Sequence, residues 1–196
     1  MRSERIPVVK TDKIAIIFPG MGYHSDKPLL YYAKRLAGEQ GYELLEVSYV
    51  FNKRARDVMN DDDAKREAFK YAVDETARQL DQVEFADYKD VLFIGKSIGT
   101  AVAAYYDKKH GINARHIVFT PVPETFAHLR NGSGIVFHGL SDPWCENELC
   151  EDRCEKLGLP LYELADANHS LETGNALTDI ERMPEILSHI TEYINR

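Results

Sequence analysis

The sequence predicts a three-layer α/β/α sandwich around a mostly parallel sheet of about six strands, and three observations carry that expectation. Runs such as KIAIIF from Lys13 and VLFIG from Val91 are almost continuously apolar, as strands are when helices cover both faces of a parallel sheet. These runs alternate with segments whose apolar residues recur every three or four positions, the spacing of helices that connect parallel strands. The 196 residues contain no repeat, low-complexity tract or linker. One domain over 1–196, with 1–12 as an N-terminal extension, is therefore expected.

The elements follow in order. KIAIIFPG is a strand stopped by Pro19-Gly20. A helix over about 27–40 carries Leu29, Leu30, Ala33 and Leu36 on one face. YELLEVSYVF from Tyr42 is predicted as a second strand because it is rich in Val and aromatics. The polar stretch NKRARDVMNDDD leads to a helix bearing Ala64, Ala68, Phe69, Ala72, Val73, Ala77 and Leu80. VLFIG is the third strand, and TAVAAYY after it suits a helix. HIVFTPV from His116 and GIVFHG from Gly134 are the fourth and fifth strands, and Leu159–Leu164 is the sixth. A closing helix presents Ile186, Leu187, Ile190 and Ile194, with Pro184 placed near its first turn, where proline is tolerated.

Composition bounds the function. Hydrophobic residues make up 44% and charged residues 29%, and the formal net charge is −8. No basic cluster stands out, so no nucleic-acid partner is expected. No apolar run reaches a signal peptide or a membrane span, so no membrane partner is expected and a cytoplasmic location follows. Cys145, Cys150 and Cys154 are odd in number, which argues against a disulfide framework. Cys150 and Cys154 are spaced to share a helix face, with Cys145 facing elsewhere. No zinc spacing is present, and no metal is expected.

Gly95-Lys96-Ser97-Ile98-Gly99 follows the third strand and opens a helix of small residues. A G-x-S-x-G pentapeptide arises by chance in about one chain in twenty of this length. The strand–turn–helix setting is what gives it meaning, because a sharp turn there lifts the serine hydroxyl above the sheet. A serine hydroxyl needs a base, and the base needs a carboxylate to fix its tautomer. Asp142, in HGLSDPW after the fifth strand, and His169, in NHS after the sixth, supply them in chain order. Asp166 is a rival acid. It shares the base's own strand exit, so Asp142 on a neighbouring strand is preferred. An oxyanion needs preset backbone N–H donors. Ile98, after the serine, is one candidate. Met21 in Pro19-Gly20-Met21-Gly22-Tyr23 is the other, with Gly22 within one residue's error. Gly20, Gly22, Tyr23, His24 and Lys96 are candidate pocket residues. Lys96 is read as a packing or solvent-facing residue, with contact to an anionic substrate as the alternative.

On Phe18–Gly22, Gly95–Gly99, Gly139–Pro143 and Asn168–Ser170, the chain resembles the α/β-hydrolase superfamily, within it the small dienelactone-hydrolase-like serine hydrolases. The resemblance runs from about Lys13 to the last helix. It implies a minimal fold without a large cap, a Ser97–Asp142–His169 triad, and cleavage of an ester, thioester or related acyl bond of a small molecule without a cofactor. The familiar His-Gly before the oxyanion loop is Pro19-Gly20 here, and dienelactone hydrolases carry a cysteine where this chain has Ser97. That substrate class therefore does not transfer. A shallow site is expected unless 51–62 or 121–133 folds over it. Two other functions stay open: a non-catalytic binding protein with this fold, and an acyltransferase using the same residues. A monomer or homodimer is expected.

Overall fold

In the computed structural model, which describes residues 11–196, the chain forms β1 (Lys13–Phe18), α1 (Pro28–Glu39), β2 (Glu43–Glu46), α2 (Ala55–Val58), α3 (Asp62–Gln79), β3 (Asp90–Lys96), α4 (Ile98–His110), β4 (Arg115–Phe119), β5 (Gly134–Gly139), α5 (Asn147–Leu157), β6 (Leu161–Leu164) and α6 (Ala176–Ile194). Most of the extension predicted over 1–12 lies outside the described residues. The six strands form one sheet in the order β2-β1-β3-β4-β5-β6, every pairing parallel. The expected sandwich is the one formed, and among the described residues it carries no large cap.

Alternation along each strand sends side chains to opposite faces. Ala15, Ile17, Leu92, Ile94, Ile117 and Phe119 meet α1 and α6. Ile14, Ile16, Phe18, Val91 and Phe93 meet α3 and α4 on the other side. Val118 and Val136 continue that second layer with Cys150 and Cys154 of α5. With both faces covered, residues 14–18 of β1 are no more than 1% exposed, hence their unbroken apolar sequence. Arg115 ties the last helix to the sheet. Its guanidinium donates to Asp90 and to the carbonyls of Tyr193 (2.7 Å) and Ile194.

The strand order reverses between β1 and β3. The chain leaves β1 toward β2 on one side and β3 toward β4 on the other. Beyond the carboxyl ends of such a strand pair a crevice opens, where ligands bind in open α/β sheets. The Gly20–Tyr23 loop leaves β1 there, and Ser97 leaves β3 beside it.

Two expectations are corrected. The second strand ends at Glu46 rather than Phe51. Among the described residues it is an edge strand paired with Ile14–Ile17 of β1 alone, and after Val47 the chain is captured by α3. There Gln79 accepts from Ser48 N–H (2.9 Å), Tyr71 OH accepts from Val50 N–H (3.1 Å), and the Phe51 ring packs edge-on to Tyr71. Pro184 lies inside α6, not in its first turn. The Asn175 side chain accepts from Leu177 and Thr178 N–H, starting the helix well before the proline.

Candidate active site

Ser97 has φ 57° and ψ −129°, a region that L residues occupy at a strain of about 1–3 kcal/mol. Its surroundings hold it there. Ser97 N–H donates to Phe119 O (3.0 Å), and Ser97 O accepts from the N–H (2.8 Å) and hydroxyl (2.6 Å) of Thr100. The Thr100 hydroxyl also meets that of Thr125 (2.6 Å), so the 121–133 segment packs beside α4. The flanking glycines are required by close approach. A Cβ on Gly95 would stand 2.9 Å from Thr100 Cα, and one on Gly99 2.3 Å from Phe18 O. A Cβ on Gly20 would stand 3.1 Å from that of Ser97, so the loop after β1 runs directly against the serine.

Three residues that the sequence separates are joined in one hydrogen-bonded chain. Ser97 Oγ lies 2.7 Å from His169 Nε2, and His169 Nδ1 lies 2.7 and 2.9 Å from Asp142 Oδ2 and Oδ1. Asp142 Oδ1 also accepts from Trp144 N–H (2.9 Å), and the Trp144 ring lies 5.4 Å from the imidazole. The carboxylate is thus fixed from two sides. The histidine loop is built by Asn168, whose side chain accepts from Ser170 N–H (2.7 Å) and Glu172 N–H. Ser141 N–H donates to Ala167 O (2.9 Å), binding the acid's loop to the base's. Asp166, the rival acid, is an exposed turn residue at φ 57°, and Asp142 is the carboxylate that reaches the imidazole.

The loop after β1 closes on itself. Gly20 and Tyr23 exchange backbone hydrogen bonds of 3.0 and 3.2 Å, and Gly22 takes φ +77°, a left-handed conformation open to glycine. Met21 N–H and Gly22 N–H donate to no group among the described residues, and neither does Ile98 N–H at the head of α4. Both oxyanion candidates are therefore unpaired donors on the loops that meet at Ser97. Tyr23 is buried, and its hydroxyl accepts from Leu29 N–H (3.2 Å). His24 is exposed and faces Asp26 at 4.0 Å, so it stands at the surface.

Lys96 is 1% exposed. The solvent-facing alternative is excluded. Its Nζ lies 5.0 Å above the Tyr23 ring and has no hydrogen-bond partner among the described residues. Alternation with Ile94 on β3 was the sequence signal for this burial. Burial first, and Lys27 second, lower the Lys96 ammonium to about 7 against the pull of Asp142. Burial likewise lowers His169 to about 4; Asp142 opposes the shift and Lys96 adds to it. The imidazole is consequently neutral, and free to accept a proton, across the physiological range.

The cysteines correct one reading. All three are buried as free thiols. Cys145 faces Cys150 rather than away, and the two share one buried cluster with Cys154. Contact first with Cys145, then with Cys154, pushes the Cys150 thiol up. Sequence reading also missed Lys53, Arg54 and Arg56. They lie in a segment that looks merely polar, yet it walls a hollow beside Met21. Among the described residues no helix is long and apolar enough to cross a membrane.

No protein-family model matches the chain, and no curated protein does. Solved structures are similar to it over nearly its whole length. A protein of unknown function from Agrobacterium tumefaciens has 19% identity and a TM-score of 0.63, covering 97% of this chain and 89% of its own. Est1E from Butyrivibrio proteoclasticus, solved with ferulic acid bound, has 11% identity and a TM-score of 0.64, covering 97% and 92%. An α/β serine hydrolase without lid from Xanthomonas campestris has 13% identity and a TM-score of 0.54, covering 96% and 85%. With the parallel sheet and the turn at Ser97, these likenesses give the chain the fold of the α/β-hydrolase superfamily.

Proposed function

We propose that the protein is a serine hydrolase that cleaves an ester, thioester or related acyl bond of a small molecule through an acyl-enzyme. The observation that carries this reading is the unbroken hydrogen-bonded chain from Ser97 through His169 to Asp142. Ser97 Oγ attacks the acyl carbonyl as His169 Nε2 takes its proton. Asp142 holds Nδ1–H and stabilises the imidazolium that forms. The carbonyl oxygen becomes an oxyanion between Met21 N–H and Ile98 N–H. Its collapse breaks the bond to the leaving group, which takes the proton from His169. A water, deprotonated by His169, attacks the acyl carbon in the same way and releases the acid and free Ser97. An alcohol or amine in place of water would make the reaction an acyl transfer.

A fluorophosphonate probe read by intact mass tests the nucleophile without knowledge of the substrate. One adduct is expected on the wild type and none on Ser97→Ala. An unlabelled wild type would mean a binding protein that keeps the fold without the chemistry.

The acid limb of kcat/KM reports protonation of the free base. With His169 lowered to about 4, activity is expected to hold down to about pH 5 and to fall below it. The sign follows because the neutral imidazole is the active form. Lys96→Met removes one of the positive charges that oppose the imidazolium, and the limb is expected to move to higher pH. A profile of Lys96→Met that superposes on the wild type would refute the coupling. Methionine fills similar volume and leaves no hydrogen bond unmade, so the fold should persist.

A further inference from the structure

The loop after β1 borders a hollow of about 420 Å³. Met21, Tyr49 and Phe51 supply its apolar lining, and Lys53, Arg54 and Arg56 supply three cations. A second hollow of about 200 Å³ adjoins it and shares Met21, Phe51 and Lys53. Met21 follows Gly20, where an added Cβ would stand 3.1 Å from that of Ser97, so the loop that borders the hollow is the loop that runs against the serine.

Two of the three cations are uncompensated: the Lys53 and Arg54 side chains make no hydrogen bond or ion pair among the described residues, and Arg56 has its neighbour Asp57 at 3.6 Å. The acids that follow in the sequence are spent on α3: Asp61 caps it through Ala64 N–H, Asp62 pairs with Lys65, and Asp63 with Arg66. Glu67 borders only the smaller hollow. Positive charge is thus gathered at one spot of a chain whose net charge is −8. An apolar floor ending in exposed cations suits a ligand with an apolar body and an anionic end.

Building on the serine-hydrolase reading, we infer that the preferred substrates carry a carboxylate or phosphate at the end remote from the reacting carbonyl. The apolar part of the substrate lies along Met21 and Phe51, and Lys53, Arg54 and Arg56 hold the anion. These are specificity residues that take no part in the bond-making steps.

The test compares esters of matched size. The p-nitrophenyl hemiesters of succinic, glutaric and adipic acid place a carboxylate on the acyl side at three reaches. 4-Acetoxybenzoate places it on the leaving group, and 4-acetoxyphenyl phosphate exchanges it for phosphate. p-Nitrophenyl butyrate and phenyl acetate are the neutral references. In at least one anionic arm kcat/KM is expected to exceed its neutral reference by about tenfold at low salt, chiefly through KM. Added salt should erode the preference. The triple variant Lys53→Gln, Arg54→Gln, Arg56→Gln should abolish it, bringing kcat/KM for the anionic esters down to that of their neutral references. The inference is overturned if neutral esters are cleaved and no anionic arm is preferred, or if the triple variant keeps the preference. Absence of turnover on every ester together with no adduct at Ser97 would overturn the serine-hydrolase reading itself.

Discussion

Asp142→Asn is expected to lower kcat/KM about 10⁴-fold while leaving the fold in place. Asparagine preserves the shape of the side chain. Its carbonyl oxygen can keep the Oδ1 position, where Trp144 N–H donates at 2.9 Å. The amide nitrogen then occupies the Oδ2 position, 2.7 Å from His169 Nδ1. An N–H donor there can be accommodated only if Nδ1 becomes an acceptor, which moves the imidazole proton to Nε2. Nε2 then points a proton at Ser97 and cannot take one. The same substitution removes the negative charge that offsets burial of the imidazolium. Steady-state kinetics beside a thermal melt would check this. A loss under tenfold would remove Asp142 from the mechanism, and a collapsed melt would mark its role as structural.

Gly99→Ala is expected to destabilise the protein by about 3 kcal/mol and to reduce activity in the fraction that folds. The new methyl would stand 2.3 Å from Phe18 O and 2.5 Å from Pro19 O. Both are backbone atoms at the exit of β1, with no rotamer that can yield. The start of α4 must move away from β1, taking Ser97 with it and widening its gap to Gly20. Gly38→Ala in α1 is the contrast. Its nearest neighbour is the Leu44 side-chain tip at 3.3 Å, which can rotate aside. There the lower backbone freedom of alanine in a helix is expected to add about 0.5–1 kcal/mol. Urea titration of both variants measures the opposite signs, and a neutral Gly99→Ala would refute the close-packing argument.

Much of this site could be read along the chain because its residues sit at strand exits, and strand exits have local signatures. Ser97 was legible in G-x-S-x-G behind an apolar run. Asp142 and His169 were legible only as strand-end candidates, since an Asp-Pro turn and a loop histidine are ordinary features by themselves. Asp142 was preferred to Asp166 because Asp166 shares the strand exit of His169, and His169 to the other histidines because it follows the serine and the acid at a strand end. The extent of β2 was misread because β-propensity in Val47–Phe51 is satisfied as well by the aromatic surface of α3 as by a neighbouring strand. The position of Cys145 depended on a loop whose path no periodicity encodes.

The sequence by itself determined the layered parallel sheet and the turn at Ser97, because apolar periodicity and glycine placement are local properties of a chain. Only the tertiary structure decided that Asp142 meets His169, that Lys96 is buried against Tyr23, and that Lys53, Arg54 and Arg56 stand beside Met21. The physical reason is that burial and charge pairing depend on which elements pack together in space. Lys96 is a polar residue in sequence, and the loop that carries Tyr23 against it makes it a buried amine next to Ser97.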